Sequence, residues 1–356
     1  MGSEEKHIKT YQDFWDWFLA NERKFHDVIR SGTEIEENFF DCIAPKLHQI
    51  NTGYYFLAGM ADDLTAELII TVEGEVKNII FAEEIIKEAP QIKGWKFTAL
   101  KPELGIENVN IELEGLKFTG DTIFFYSNDF EEYPDEIDIT LVYENFKEEI
   151  KDPVTTGICI FLDHFLGELN FATQIDTFNI IGKENAKKDL IPITKLKDFL
   201  KWREREFTEK YKNEKISSGD EEFSILEAEL MNGLPLIAAI NTSLLKYDSK
   251  ASYPWVSVLK IHYEGDDNSG LPEIEDYKKL SEIEDRIVAE LKREDGHLYI
   301  GRESADNIRE SYFVSKDFRQ PSKVLHRVIQ DNSSYKISLD IYKDKYWQSF
   351  ERYTVN

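Results

Sequence analysis

The order of hydrophobic periodicities in the last third of the chain constrains the fold most. Residues 255–263 alternate along the chain with a period of two, which predicts a strand, whereas 273–293 carry apolar residues at helical spacing. Further elements of both kinds follow: strands 297–303 and 309–315, a helix that begins near Pro321, and strand 335–342. This β-α-β-β-α-β order predicts a ferredoxin-like domain, in which two helices cover one face of an antiparallel sheet.

The alternation also predicts which face of that sheet the helices cover. Odd-numbered residues of 255–263 and of 335–341 should face the helices, which leaves Val256, Val258 and Tyr342 on the opposite face. A bare apolar face of this kind usually marks an interface. We therefore expect a cover, formed by a hairpin over 223–245 around Asn232-Gly233, by the N-terminal domain, or by a second chain.

The first half of the chain begins with helices and then changes to strands. A helix is predicted over residues 8–30, and Thr33 with Glu36 forms a capping-box pattern for a second one. Strand patterns follow over 53–60, 65–72, 95–101, 109–118, 122–127, 137–143 and 177–181, with helices over 78–89 and 154–168 between them. The spacing predicts two βαβ units, and the whole chain is therefore assigned to the α+β class with two α/β modules.

A segment of different composition separates the two halves. Residues 187–215 hold ten Lys or Arg against six acidic residues, and their apolar residues recur at helical spacing. Ser217 to Asp220 then form a turn pattern. We divide the chain into an N-terminal domain over 1–186, a connecting helix and turn over 187–222, and a C-terminal domain over 223–356.

The charge of the chain excludes several classes of function. Its 43 Lys and Arg stand against 69 Asp and Glu, a net charge of -26, which disfavours binding to nucleic acid or to anionic lipid. The start of the chain lacks the basic stretch and apolar run of a secretory signal, and no apolar run approaches the roughly 20 residues of a membrane span. A cytoplasmic location is expected.

An ordered set of short motifs marks the C-terminal half. Asn232-Gly233-Leu234-Pro235, Tyr253-Pro254-Trp255 and Gly270-Leu271-Pro272 are followed by Tyr299-Ile300-Gly301-Arg302 and by Arg309-Glu310-Ser311-Tyr312-Phe313. In order and spacing they resemble the bacterial family called domain of unknown function 695, over about residues 223–350. The first half is similar to the region that often precedes that domain. By element order the family is similar to ribonuclease-activity regulators of the B type, which implies a regulatory binding role by analogy of fold alone.

Motifs of the common catalytic and cofactor-binding classes are absent from the sequence. It contains no G-x-G-x-x-G, no P-loop, no H-E-x-x-H and no G-x-S-x-G. We therefore assign no cofactor and no catalytic residue, and we favour a protein that is not an enzyme.

Asp163, His164 and Glu168 form the most reactive-looking cluster. His164 and Glu168 are four residues apart, which would place both on one helix face and allow them to share a metal ion. A catalytic zinc ion needs a third ligand, and the sequence offers none. The more ordinary interpretation is a polar helix face beside Phe161 and Phe165, with Glu168 capping or paired, so no metal site is assigned.

Arg302 and Arg309 lie on adjacent predicted strands. Two neighbouring guanidiniums could clamp a carboxylate or a phosphate. The alternative is that they pair with local acids such as Glu303 and Glu310. The binding candidates taken from the sequence are Arg302, Arg309, Trp255, His164 and Glu168.

Two functional hypotheses follow. The first is a non-enzymatic protein-binding or regulatory module whose partner is another protein, with a homo-oligomer as one form of that binding. The second is a small-molecule enzyme with its site in a cleft between the two domains. The charge, the missing motifs and the family resemblance favour the first.

Overall fold

The computed structural model describes residues 7–212 and 222–354, and it confirms a mixed α and β chain. The chain forms two compact units: residues 1–128 with 138–200, and residues 129–137 with 201–356. We call them the N-terminal and the C-terminal unit. The predicted turn over 217–220 lies outside the described residues.

The N-terminal unit opens with the predicted helix, α1 (Tyr11–Ser31). A capping box does form, but at Thr10 and Asp13 rather than at Thr33 and Glu36. The predicted cap at Thr33 is wrong because the second helix begins later, as a π-helical turn over Glu36–Phe40 that continues as α2 (Asp41–His48).

The first predicted βαβ unit forms as expected. It consists of β2 (Ala66–Thr71), α3 (Val76–Lys87) and β3 (Trp95–Ala99), and β2 and β3 are parallel. The strand β1 (Tyr55–Met60) adds to β2 in antiparallel orientation, which gives a three-stranded sheet of order β1-β2-β3.

The second βαβ unit also forms, in a separate sheet. The predicted strand 109–118 is a hairpin of β4 (Ile111–Leu113) and β5 (Leu116–Phe118), because Glu114 and Gly115 both have positive φ and turn the chain. The remaining elements are β6 (Ile123–Asn128), β7 (Asp138–Tyr143), α4 (Lys151–Leu166), α5 (Glu168–Gln174), β8 (Thr177–Gly182), β9 (Ile191–Pro192) and α6 (Leu196–Tyr211). The sheet has the order β8-β7-β6-β9, with β7 and β8 parallel.

The C-terminal unit is built on one six-stranded sheet. Its elements are β10 (Phe223–Glu229), β11 (Pro235–Asn241), β12 (Trp255–His262), α7 (Ile274–Glu290), β13 (His297–Ala305), β14 (Ile308–Ser315), α8 (Arg319–Asp331) and β15 (Lys336–Lys343). The strand order is β10-β11-β13-β14-β12-β15, and every neighbouring pair is antiparallel. The predicted β-α-β-β-α-β order contains four strands; the sheet has six because the predicted 223–245 hairpin pairs with β13 and extends it.

The two faces of this sheet divide as the alternation predicts. On β12, Leu259 lies beside Ser311 of β14, whose hydroxyl contacts Glu284 of α7, so the odd-numbered residues face the helices. Val256 and Val258 belong to a buried cluster on the opposite face. That face is covered, as expected.

The cover comes from a different part of the chain than the one expected. Leu244 and Leu245, at the end of the predicted hairpin, contribute to the cluster. Three of its aromatic members, Trp347, Phe350 and Tyr353, follow β15. The indole N–H of Trp347 donates to the carbonyl of Tyr253 at 3.0 Å. The chain after its last strand therefore closes the core.

The short segment 129–137 belongs to the C-terminal unit although it lies between β6 and β7. Its Asp135 carboxylate accepts hydrogen bonds from the hydroxyls of Tyr211 and Tyr346, both at 2.7 Å, and from Lys210 at 2.8 Å. These bonds hold the segment in its unit.

Short helical turns complete the described structure, at Ile106–Asn108, Glu148–Ile150, Lys183–Asn185, Ile193–Lys195, Leu244–Lys246, Lys250–Ser252, Arg293–Asp295 and Gln348–Tyr353. Among the helices of residues 7–212 and 222–354, none combines the length and the hydropathy that a membrane crossing requires.

Candidate functional site

A cavity of about 460 Å³ lies in the N-terminal unit at the carboxyl ends of the parallel strands β2 and β3. Ligands of open α/β sheets bind at such strand ends. The cavity has a polar side and an apolar side, and its lining residues are Glu73, Gly74, Lys101, Cys159, Ile160, Asp163, His164, Glu168, Phe171, Ala172 and Phe178. Two predicted binding residues, His164 and Glu168, therefore lie in one cavity.

Glu168 is fully buried and joins the two strand ends. Its carboxylate accepts the backbone N–H groups of Val72, Gly74 and Lys101, each at 3.0 Å, and the hydroxyl of Thr71 at 2.6 Å. A buried carboxylate is stable only with such donors. Because four donors occupy this carboxylate, Glu168 shapes the cavity rather than binding a ligand, which agrees with the ordinary interpretation of a capping or paired residue.

Three backbone positions around Glu168 have positive φ: Glu73 at 52°, Leu100 at 63° and Gly167 at 78°. For Glu73 and Leu100 this conformation is strained. At Gly167 a side chain would also collide, since an added Cβ would lie 2.8 Å from the backbone nitrogen of Glu103. The four hydrogen bonds of Glu168 hold the chain in this arrangement.

Lys101 occupies the polar side of the cavity, between two carboxylates. Its Nζ lies 2.9 Å from Glu73 Oε2 and 3.0 Å from Asp163 Oδ2. Burial raises the pKa of Asp163, although Lys101 opposes the shift. Burial alone would lower the pKa of Lys101, but the two carboxylates outweigh it and raise that pKa.

His164 and Glu168 do not share a helix face, contrary to the prediction. Helix α4 ends at Leu166, and Gly167 turns the chain before α5 begins at Glu168. The Nδ1 atom of His164 lies 2.8 Å from the carbonyl oxygen of Ile160. Within residues 7–212 and 222–354, no group of three His, Cys, Asp or Glu side chains is arranged to hold a metal ion.

The arginines form a second polar cluster, on the helix-facing side of the C-terminal sheet. Arg302 Nη1 lies 2.9 Å from Glu284 Oε2, and Arg309 Nη1 lies 3.9 Å from the same oxygen. The hydroxyl of Ser311 donates to Glu284 Oε1 at 2.7 Å. The predicted proximity of the two guanidiniums is confirmed, and a helix carboxylate already lies between them.

The ring of Tyr277 lies over both guanidiniums. Its centroid is 4.9 Å from Cζ of Arg309 and 5.7 Å from Cζ of Arg302, distances typical of cation–π contacts. Arg309 is 1% exposed, and its Nε donates to Ser304 at 3.0 Å. Burial raises the pKa of Glu284, although both arginines oppose the shift.

The alternative that the arginines pair with local acids holds for Arg302, but its partner is Glu284 and not Glu303 or Glu310. Successive residues of a strand point to opposite faces, so both glutamates lie on the other side of the sheet from their arginine neighbours. There, Glu310 pairs with Lys260 at 2.7 Å and Glu303 lies 3.3 Å from Arg352.

Residues 228–353 match the model of a family of unknown function, DUF695. The C-terminal domain belongs to the DUF695 family. The predicted resemblance is thereby confirmed for this part of the chain. No curated protein and no solved structure matches the chain significantly.

Trp255, the remaining predicted binding residue, lies in the core of the DUF695 domain. It is 6% exposed and packs edge-on against Phe318, with 4.8 Å between ring centroids. Arg309 lies opposite Ile261, six residues further along β12 and therefore about 20 Å away. The structure does not bring Trp255 together with the arginine pair.

The open edge of the six-stranded sheet, at β10, carries exposed apolar side chains. On the edge strand β10, Phe223 is 43% and Ile225 is 65% exposed, and Ile237 of β11 is 36% exposed. All three lie on the helix-facing side, because Ile225 pairs with Ala239, which pairs with Arg302, and Phe223 and Ile237 are each two residues away on their strands. The hairpin is predictable from the sequence, but this exposure is not, because it depends on which part of the sheet face the helices α7 and α8 cover.

Two of the residues that sequence reasoning missed had a detectable signal. Glu284 lies four residues after Leu280 and three before Ile287, on the buried stripe of the predicted helix. Lys101 is the last residue of a predicted strand of the first βαβ unit. The carboxyl ends of parallel strands lie at the same edge of a sheet, so residues there come close together. A charged residue on a buried stripe or at such a strand end therefore indicates a polar cluster inside the fold.

Proposed function

We propose that the chain is a non-enzymatic binding module that takes up an extended segment of another protein along β10. The observation that carries this proposal is that β10 ends the sheet and, among residues 7–212 and 222–354, pairs with no strand besides β11, while its Phe223 and Ile225 are exposed. An added strand obtains affinity from main-chain hydrogen bonds and specificity from alternate side chains.

The backbone of β10 has the geometry for such pairing. The N–H of Thr242 donates to the carbonyl of Glu222, and the N–H of Leu230 donates to the carbonyl of Leu234. In an antiparallel ladder, even-numbered residues of β10 therefore bond to β11, and the odd-numbered residues direct their N–H and C=O groups away from it. Within the described part of the chain, the backbone groups of β10 that point away from β11 are therefore those of Phe223, Ile225, Glu227 and Glu229.

The two outer strands of the sheet differ in how they discourage pairing. Natural proteins protect such strands with charged side chains, and β15 carries Lys336, Asp340 and Lys343. By contrast, the first four residues of β10, Phe-Ser-Ile-Leu, carry no charge. This difference favours β10 as the binding edge.

The side chains of β10 indicate the chemistry of the partner. Phe223 and Ile225 are followed on the same face by Glu227 and Glu229. Opposite charges across neighbouring strands are stabilising, so the complementary segment has apolar residues opposite the first pair and Lys or Arg opposite the second. The net charge of -26 also speeds encounter with a basic partner.

The ferredoxin-like core remains part of this proposal. Within the six-stranded sheet, β13-β14-β12-β15 form a consecutive antiparallel set, with α7 and α8 in the two crossovers. That order supports a split βαβ core to which the β10-β11 hairpin adds a binding edge. The cytoplasmic location stays a prediction, as does the alternative of an enzyme with its site between the domains.

A selection from a displayed library of random dodecapeptides tests the proposal. Peptides enriched on the wild-type protein should carry, at every second position, two apolar residues next to two basic residues. Ile225→Lys and Glu227→Lys should each lower their affinity by about tenfold. Val288→Lys is the matched control, since Val288 is a 39% exposed apolar residue of α7. It should leave the affinity unchanged.

Two results would contradict the proposal. One is a set of enriched peptides that are acidic, or that bind the Ile225→Lys variant as well as the wild type. The other is a dimer, seen by light scattering, that Ile225→Lys dissociates, since the edge would then serve a second copy of the chain.

A further inference from the structure

We infer that the cavity of the N-terminal unit binds a small primary amine with an apolar or aromatic body. The inference is independent of the edge strand β10. It rests on the size of the cavity, on the charges of its polar side and on the residues of its apolar side. At about 460 Å³ the cavity falls within the range of small-molecule sites.

The polar side already holds one ammonium group, that of Lys101. Two carboxylates, Glu73 and Asp163, contact it at 2.9 and 3.0 Å. One positive charge between two negative charges leaves the polar side with an excess negative charge. The polar side therefore attracts a cation and repels an anion.

His164 adds a hydrogen-bond acceptor. Its Nδ1 faces the carbonyl oxygen of Ile160 at 2.8 Å, and a carbonyl oxygen only accepts, so this nitrogen carries the proton. In the neutral ring, Nε2 then has a lone pair. A primary ammonium has three N–H donors, which suits a site with the carboxylates of Glu73 and Asp163 and an imidazole acceptor.

The apolar side suits the rest of such a ligand. Ile160, Ala172, Phe171 and Phe178 line it, and the two aromatic rings lie 6.2 Å apart at 40°. Phe178 is 36% exposed, so the apolar side is partly open to solvent. A bound aromatic or aliphatic body would cover that ring, and an ammonium near its face would gain a cation–π contact.

Ligand-observed fluorine NMR tests the inference with defined probes. Para-fluorophenethylamine should bind with a millimolar dissociation constant, and the anion of similar size, para-fluorohydrocinnamate, should bind at least about tenfold more weakly. Asp163→Asn should weaken binding of the amine about fivefold, because it removes the excess negative charge. Phe178→Ala should weaken it by a similar factor, because it removes the aromatic surface.

Asp152→Asn tests whether the amine binds in the cavity or is merely attracted to the acidic surface. Asp152 lies on the same helix α4 but is exposed, outside the cavity. It should leave the affinity for the amine unchanged. Phe178→Ala keeps the test decisive if Asp163→Asn does not fold, since Phe178 is already partly exposed.

Three results would overturn the inference. The anion binds as tightly as the amine; neither probe binds; or the amine binds the Phe178→Ala and Asp163→Asn variants as tightly as it binds the wild type. None of these results bears on peptide binding at β10, so the two proposals fail separately.

Discussion

Glu168 and Glu284 are both buried carboxylates, yet the two units stabilise them in different ways. Glu168 of the N-terminal unit accepts three backbone N–H groups and one hydroxyl. Glu284 of the C-terminal unit lies between the side chains of Arg302, Arg309 and Ser311. Three of the four donors to Glu168 belong to the main chain, whereas all the partners of Glu284 are side chains that can be replaced together.

This difference separates two roles for a buried charge. Glu168 fixes the course of two strand ends around a cavity, because three of its four donors belong to the main chain itself. Glu284 neutralises guanidiniums on a sheet, and an apolar set of similar volume could fill the same space. Substitutions that remove each carboxylate, and then its partners, test the distinction.

The largest effect is expected for Glu168→Ala. Removal of the carboxylate takes the acceptor from four donors, of which those of Thr71 and Val72 are in buried hydrogen bonds. The free energy of unfolding of the N-terminal unit should therefore fall by about 4 kcal/mol. Glu168→Leu should not recover the loss, since leucine accepts no hydrogen bond. Hydrogen exchange measured by mass spectrometry reports the loss for peptides of each unit.

The control for this comparison is Glu112→Ala, an exposed glutamate of β4. It should change the free energy of unfolding by no more than about 0.5 kcal/mol. A leucine at position 168 that restores wild-type protection would remove the distinction between the two carboxylates.

Glu284→Ala should cost about 3 kcal/mol in the C-terminal unit, because Arg309 would be buried without a counter-charge. Replacement of the whole cluster by apolar residues should recover most of this loss of stability. The triple variant Glu284→Leu, Arg302→Met, Arg309→Met should return to within about 1 kcal/mol of the wild type in a urea unfolding experiment. A triple variant no more stable than the single one would show that the ion pairs themselves stabilise the sheet.

A carboxylate placed where no donors exist gives the third test. Val258 is 5% exposed within the cluster that Trp347 and Phe350 cover, so Val258→Asp should cost about 2 kcal/mol or more. Ser338→Asp, at an exposed position of β15, should leave the melting temperature nearly unchanged. Equal melting temperatures for the two variants would mean that the covered face tolerates charge.

The smallest effect, and the one that depends on pH, concerns Asp135. Burial acts to raise its pKa, but hydrogen bonds from Lys210, Tyr211 and Tyr346 outweigh it and lower the pKa below the ordinary 3.8. The unfolded chain therefore takes up the proton first, so the stabilisation is present above pH 3.8 and is lost as the pH falls through the lowered pKa.

Asp135→Asn should accordingly cost about 1 kcal/mol at neutral pH, and the cost should shrink toward zero in acid. Unfolding midpoints of both proteins between neutral and acid pH measure the change. A cost that stays constant over this range would assign the effect of Asp135 to packing rather than to charge.

The sequence by itself determined the elements and the faces of the DUF695 domain. Alternation placed Val256 and Val258 opposite the helices, and the helical spacing of Leu280, Ile283 and Ile287 gave the buried stripe of α7. These features follow from local geometry, since a strand repeats every two residues and a helix every 3.6, whatever the rest of the chain does.

Only the tertiary structure decided which distant groups meet. It placed the hairpin beside β13, brought Trp347 over the sheet, and paired Arg302 with Glu284 instead of with its neighbour Glu303. It also surrounded Glu168 with N–H groups from strands almost a hundred residues earlier. Such partners depend on how whole elements pack, because a buried charge is stable only where the fold brings enough donors or counter-charges to it.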